Sequence, residues 1–175
     1  MIICLIGPIG SGKTTLAQHL VGVHGFQRRS FADPVKAECA TMISSLGEKS
    51  YADVLAEMHD PEKKKLYRGL MQWCGTDFRR DRDPDYWVKK MFDALPAFGD
   101  VVIDDVRFMN EWFCLRRRRD LGPVLVVRID NGRQGSPSKH ISELEWRDIP
   151  VNLPIETDDL AAEKLLLDML VGAYS

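Results

Sequence analysis

Cysteine is scarce in this chain: Cys4, Cys39, Cys74 and Cys114 are the only four in 175 residues, far apart and without a CxxC pair. That excludes a disulfide framework and a zinc ribbon, and it fits a reducing compartment. Long apolar runs are missing too. The longest, such as Val124 to Val127, fall far short of the ~20 residues of a membrane helix. Met1 to Leu5 is apolar, but no basic stretch precedes it and a glycine turn follows, so no signal peptide is expected. Neither sign of charge prevails. The 24 Lys+Arg against 26 Asp+Glu leave a net −2, which argues against a bulk nucleic-acid binder. Repeats at solenoid periods and low-complexity tracts are absent as well. A disulfide scaffold, membrane protein, coiled coil and disordered tail are thereby set aside. What is left is about one domain's length of chain with room for a real core.

Met1-Ile-Ile-Cys-Leu-Ile6 is an uninterrupted apolar run, which reads as a strand covered on both faces of a parallel sheet. An amphipathic helix through Leu16, Leu20 and Val21 follows, with Gly25 as its stop. Val101 to Asp104, Val124 to Ile129 and Val151 to Ile155 are further strand candidates. A helix through Trp112, Phe113 and Leu115 ends in Arg116 to Arg119, whose charge suits a helix C-terminus, and is stopped by Gly122-Pro123. Thr157-Asp158-Asp159 caps a closing helix with Leu160, Leu165 and Leu166. Residues 30 to 95 read as mostly helical. Asp33-Pro34, Asp60-Pro61 and Asp83-Pro84 each pair an N-cap carboxylate with proline at the first helical position. The first of these helices is predicted to run to Gly47. The second carries Leu66, Leu70 and Trp73 to near Gly75, and the third carries Trp87, Met91 and Leu95 before Pro96. Lys63 to Lys65 reads as a solvated face. Strands alternating with helices imply an α/β fold with a parallel sheet between two helical layers.

Gly7-Pro-Ile-Gly10-Ser11-Gly12-Lys13-Thr14 matches G-x-x-x-x-G-K-[ST], between a predicted strand and a predicted helix. From typical residue usage, fewer than roughly 1 in 100 chains of this length would carry it by chance. Phosphates need converging backbone N–H groups, and glycine bends the chain to supply them without a Cβ in the way. Gly7, Gly10, Ser11, Gly12, Lys13, Thr14 and Thr15 are therefore the candidate ATP-phosphate cradle, with the helix dipole behind it. Lys13 reaches the β- and γ-phosphates, and Thr14 offers a hydroxyl to Mg²⁺. Asp104, at the end of an apolar strand, is the expected carboxylate partner of that metal. Capping the next helix is its plain alternative.

No Asn-Lys-x-Asp is present to specify guanine, and the chain is short for a motor ATPase. A small-molecule kinase remains, on a three-layer P-loop NTPase fold. Its core comprises 1–29, 96–129 and 148–175, with a helical substrate-binding insert at about 30–95 and a lid-like segment at about 130–147. Arg68, Arg79, Arg80 and Arg107 favour a phosphorylated acceptor, because guanidinium forks grip phosphate bidentately. A phosphate acceptor is already ionised near neutrality and needs alignment rather than a strong base. A hydroxyl acceptor would want a carboxylate, and Asp33 reads better as a cap. Arg79 and Arg80 sit in Asp77-Phe-Arg-Arg-Asp-Arg-Asp83, where pairing within the loop is the plain alternative. Gln72 and Trp73 are placed to read and stack a base, although Trp73 also fits the core. Arg133 and Lys139 lie in the lid-like segment, equally readable as a surface loop. Ser142-x-x-Glu145 is a capping box, and His140 and Glu143 carry no assignment.

In order, GPIGSGKT, FADPVK (31–36), LMQWCGTDFRRDRDPDYWV (70–88), VVIDDVRFMNE (101–111) and HISE (140–143) resemble the deoxynucleoside monophosphate kinases known mainly from bacteriophages. The resemblance spans roughly residues 1–145. It implies phosphoryl transfer from ATP to a deoxynucleoside monophosphate with Mg²⁺, on an adenylate-kinase-like fold. Gly12, Lys13 and Thr14 then hold the ATP phosphates. Asp33, Lys36, Arg68, Gln72, Trp73, Gly75, Thr76, Arg79, Arg80 and Trp87 fall in blocks expected to hold the acceptor. Asp105, Arg107 and Glu111 line the site floor, and Lys13, Asp105, Arg107 and Arg133 are the expected catalytic groups. Met109 stands where the family pattern has proline. Two rivals stay open: a kinase of a hydroxyl-bearing metabolite such as dephospho-coenzyme A, and a nucleotide-binding regulator without catalysis. The expected partners are ATP and the monophosphate, with no nucleic acid and no membrane. A homodimer is left open. The expected location is the cytoplasm, the host's if the chain is phage-encoded.

Overall fold

The computed structural model describes residues 1–118, 120, 122–132, 141 and 144–174. The chain divides into two compact units, Met1–Ser30 with Leu95–Ser175, and Phe31–Ala94. The first unit is built on a parallel five-stranded sheet of order β2-β3-β1-β4-β5. Its strands are β1 (Ile2–Ile6), β2 (Gln27–Arg29), β3 (Val101–Ile103), β4 (Val124–Ile129) and β5 (Leu153–Ile155). Ile2 is level with Val101 on one side and Val124 on the other, so β1 is central. Ile3 and Leu5 pack with Leu16, Ala17 and Leu20 of α1 (Lys13–His24) and with Leu167 and Val171 of α7 (Leu160–Tyr174). Ile2, Cys4 and Ile6, which the strand's period of two turns to the opposite face, are as fully buried. Two covered faces explain why β1 is apolar at every position. Each of its isoleucine and leucine side chains contributes about 1.5–3 kcal/mol through burial.

Gly25 stops α1 as expected. Its φ is 72°, its N–H reaches the Val21 carbonyl, and the N–H of Phe26 reaches that of Leu20. β2 was not foreseen, because Gln-Arg-Arg has no apolar alternation. It is an edge strand fixed by its ladder to β3 and by the Gln27 N–H on the Asp100 carbonyl. β5 begins two residues later than predicted and carries Pro154, which an edge strand tolerates. No described helix is long and apolar enough to cross a membrane.

The second unit contains α2 (Ala32–Ser44), α3 (Tyr51–His59), α4 (Lys64–Gln72), a π-helical segment Trp73–Phe78 and α5 (Tyr86–Ala94). Cys39, Ala40, Val54, Met58, Cys74, Trp87, Val88 and Met91 are buried in it, and all four cysteines of the chain are free thiols. The Asp33 reading is corrected: α2 starts at Ala32, so Asp33 and Pro34 occupy its first turn and Asp33 is not the cap. Proline costs nothing there, since the first N–H groups of a helix have no partner in it anyway. Asp60 accepts from the N–H groups of Glu62 and Lys63, and Asp83 from that of Asp85, as caps do, although regular helix begins only at Lys64 and Tyr86. α3 was overlooked, yet Ser50 and Asp53 mark its start: the Ser50 hydroxyl accepts from the Asp53 N–H at 3.2 Å. The predicted second helix changes character at Trp73. Closing i to i+5, the π segment adds a residue and shifts the register after it. Leu66 is 81% exposed and Trp73 45%, so the core reading of Trp73 is overturned.

Candidate functional site

Beyond Ile6 the chain turns through Gly7, Gly10 and Gly12, with φ of 140°, 82° and 88°, into the first turn of α1. These are backbone conformations that only glycine adopts cheaply. At Gly7 a Cβ would also collide with the carbonyl oxygen of Ile129. Ser11 is fully buried. The Lys13 ammonium curls over the loop, donating to the carbonyls of Gly7 (2.9 Å) and Pro8 (2.6 Å) and to Ser11 Oγ (3.2 Å). Thr14 and Thr15 are exposed at the positive end of α1, whose first turn holds no acidic residue. A glycine-bent loop, a cation and a helix N-terminus are features whose chemistry suits an anion.

The glycine loop is anchored from the segment after β4 and from α7. Buried Asn131, two residues past β4, donates its amide protons to the Ser11 carbonyl (2.9 Å) and to Glu163 Oε1 (2.6 Å). Glu163, Leu167 and Val171 are the buried stripe of α7. An acid at the head of an i, i+4, i+8 stripe whose other members are apolar was the legible sign of a buried polar pair. Nothing in the sequence marked Asn131 as its partner.

At the end of β3, Asp104 is 3% exposed. Its Oδ2 accepts from Arg28 Nε at 3.0 Å, while its Oδ1 is buried and takes no hydrogen bond from the described residues. Asp105 accepts from the Ser30 hydroxyl at 2.6 Å. Arg28 and Ser30 were missed because β2 was missed. Glu111, expected on the site floor, is buried, and its Oε2 accepts from the N–H groups of Arg107 (2.8 Å) and Phe108 (3.1 Å), capping α6 (Met109–Arg116). Burial, with the charge of Glu111, pushes the Cys4 thiol up to about 12. Met109 donates its N–H to Glu145 Oε1 at 3.2 Å, a bond that proline would lack.

In the helical unit, Arg68 is exposed and Gln72 half-buried, and neither has a polar partner among the described residues. Trp73 stacks on Phe78 with ring centres 4.8 Å apart. Gly75 and Thr76 lie within the π segment. Trp87, expected beside the acceptor, is 1% exposed and donates its indole N–H to the Gly75 carbonyl at 2.7 Å, so it holds the π segment from the core side. Arg79 pairs with Glu38 of α2 rather than within its own loop, and its guanidinium lies over the rings of Phe78 and Tyr86. Glu38 also accepts from the Tyr86 hydroxyl at 2.9 Å. Arg80 donates to the Pro84 carbonyl. Lys36 is buried, its ammonium 3.3 Å from Asp33 Oδ1 and 3.2 Å from His59 Nδ1. Asp33 therefore serves a buried cation. Arg133, Lys139, His140, Ser142 and Glu143 lie outside the described residues.

No family model matches the chain. A protein of Acanthamoeba polyphaga mimivirus named "Putative deoxynucleotide monophosphate kinase" is 32% identical over 167 residues, covering 85% of this chain and 83% of its own. Among solved structures, an unliganded sugar kinase from Janibacter sp. HTCC2649 is 16% identical, with 99% of this chain and 95% of its own covered and a TM-score of 0.48.

Proposed function

The chain belongs to the deoxynucleotide monophosphate kinase family, and from that premise we propose that it transfers the γ-phosphoryl group of ATP to a deoxynucleoside monophosphate, releasing ADP and the diphosphate. The observation that carries the donor half is the glycine loop between β1 and α1, with Lys13 held over it. When ATP enters, the ammonium exchanges the loop carbonyls for β- and γ-phosphate oxygens, while Gly10, Gly12, Thr14 and Thr15 offer backbone N–H groups. Asn131 keeps the loop in place during that exchange.

A divalent cation suits the carboxylate edge, because Asp104 keeps one buried oxygen clear of described hydrogen-bond donors. Thr14 and Asp104 would hold Mg²⁺, which when bound neutralises charge on the β- and γ-phosphates. Asp105, fixed by Ser30, and Arg107, whose N–H is held by Glu111, follow on the same strand exit. Arg107 and Arg133 supply positive charge to the phosphoryl group in flight.

For the acceptor, Arg68 grips its phosphate, Gln72 and Thr76 address the base and Trp73 offers an exposed face for stacking. Arg79, Arg80, Lys36 and Asp33 shape this wall through the contacts described above. The acceptor phosphate has a second pKa of about 6, so no dedicated base is required. The test is ADP release in a coupled assay across deoxynucleoside monophosphates, ribonucleoside monophosphates and hydroxyl acceptors such as dephospho-coenzyme A. Turnover is expected with deoxynucleoside monophosphates. Lys13→Ala should lower it by orders of magnitude with an unchanged circular dichroism spectrum. Turnover confined to hydroxyl acceptors, or tight ATP binding with no transfer, would overturn this reading.

A further inference from the structure

His19 in the middle of α1 and His24 at its C-terminal end face Asp168 of α7. One ligand atom from each of the three lies within 4.8 Å of the other two. Nε2 of His19 is 2.7 Å, and Nε2 of His24 2.6 Å, from the same oxygen, Asp168 Oδ1. The two rings stand edge to face at 81°. Among the described residues the three side chains have only one another as polar partners. They are 13%, 22% and 36% exposed, open to water on one side. The helices that carry them are locked together beneath by Leu16, Leu20, Leu167 and Val171.

We propose that His19, His24 and Asp168 form a binding site for a divalent transition-metal cation of the zinc type, with water as the fourth ligand. The donor set decides the class: two imidazoles and one carboxylate suit Zn²⁺, whereas Mg²⁺ and Ca²⁺ want oxygen throughout. In the hydrogen-bonded arrangement, two ring N–H protons converge on one carboxylate oxygen. A cation at that point replaces both. Each neutral imidazole carries its proton on Nδ1 instead, an imidazolium releases one to water, and the Nε2 lone pairs turn to the metal. Zn–N and Zn–O bonds of about 2.0–2.2 Å in a tetrahedron set ligand atoms about 3.3 Å apart, so each N···O separation opens by roughly 0.6 Å. Small side-chain rotations at a partly open surface absorb that change. His24 is the last residue of α1, where the partial negative charge of a helix C-terminus favours a cation. The bound ion would clamp α1 to α7 and raise the stability of the first unit. This site stands apart from the kinase reading and survives its failure.

The experiment is a Zn²⁺ titration of chelator-treated full-length protein with Mg²⁺ present throughout, read by calorimetry and thermal denaturation. One equivalent should bind and the melting temperature should rise to a plateau. His24→Gln and Asp168→Asn should each weaken binding by at least about tenfold and flatten the melting response. Co²⁺ gives a readout that needs no variant to fold: the wild-type protein should show visible d–d bands without thiolate-to-metal charge transfer. No saturable Zn²⁺ binding, unchanged affinity in a folded His19→Gln/His24→Gln double variant, or a thiolate band with Co²⁺ would each overturn the proposal.

Discussion

Gly7 and Ile129 meet backbone to backbone: the first atom of any side chain on Gly7 would run into the carbonyl oxygen of Ile129. With φ at 140° as well, Gly7→Ala should cost about 1–3 kcal/mol in backbone strain before the collision is counted. Stability and ATP affinity should fall together. Gly22, on an exposed stretch of α1 where a Cβ would point into open space, is the control. Gly22→Ala should stabilise by about 0.5–1 kcal/mol and leave ATP binding unchanged. Thermal melts with and without ATP compare the two, and a silent Gly7→Ala would contradict the close approach.

Asn131→Ala withdraws a donor from buried Glu163 and from the Ser11 carbonyl at once. A loss of about 1–3 kcal/mol is expected from the weakened satisfaction of these buried groups. Because one of them belongs to the glycine loop proposed to hold ATP, KM for ATP should rise while KM for the acceptor stays put. Urea denaturation and two-substrate kinetics measure both. Equal movement of the two KM values would show a general loosening instead.

The two tryptophans of the helical unit should behave oppositely. Trp87→Phe keeps an aromatic core but removes the N–H bound to Gly75, so about 1 kcal/mol of stability should go. Trp73→Ala removes an exposed ring resting on Phe78. It should change stability by within about 0.5 kcal/mol, while raising KM for the deoxynucleoside monophosphate. A large stability loss from Trp73→Ala would return that ring to the core.

Hydrogen bonds from His24 first, and His19 second, hold the Asp168 carboxyl below the ordinary carboxylate range. The unfolded chain therefore takes up this proton at a higher pH than the folded one does. Its contribution is complete above the unfolded value of about 4 and fades as pH falls from there toward the lower folded value. In metal-free buffer, the urea midpoint of the native protein should drop more steeply through this acidic window than that of Asp168→Asn. Parallel curves would mean that the hydrogen bonds contribute nothing.

What could be read from residue order alone is whatever neighbouring residues settle between themselves. The all-apolar run of β1, the glycines ahead of Lys13, the Gly25 stop and the caps at Asp60 and Asp83 all depend on local φ, on missing N–H groups or on a side chain reaching two residues along. The Ser50 cap of α3 belonged to the same class and was there to be read. Tertiary packing decided the rest. Whether Trp87 or Trp73 is covered, that Arg79 turns to Glu38 and that Lys36 beside Asp33 is buried each depend on which elements arrive alongside. β2 exists only because β3 offers it a ladder. The pairs Asn131–Glu163 and His19–Asp168 join residues 32 and 149 positions apart. Hydrophobic pattern and backbone propensity act over a few residues, whereas burial and charge pairing are settled only when distant segments share one space.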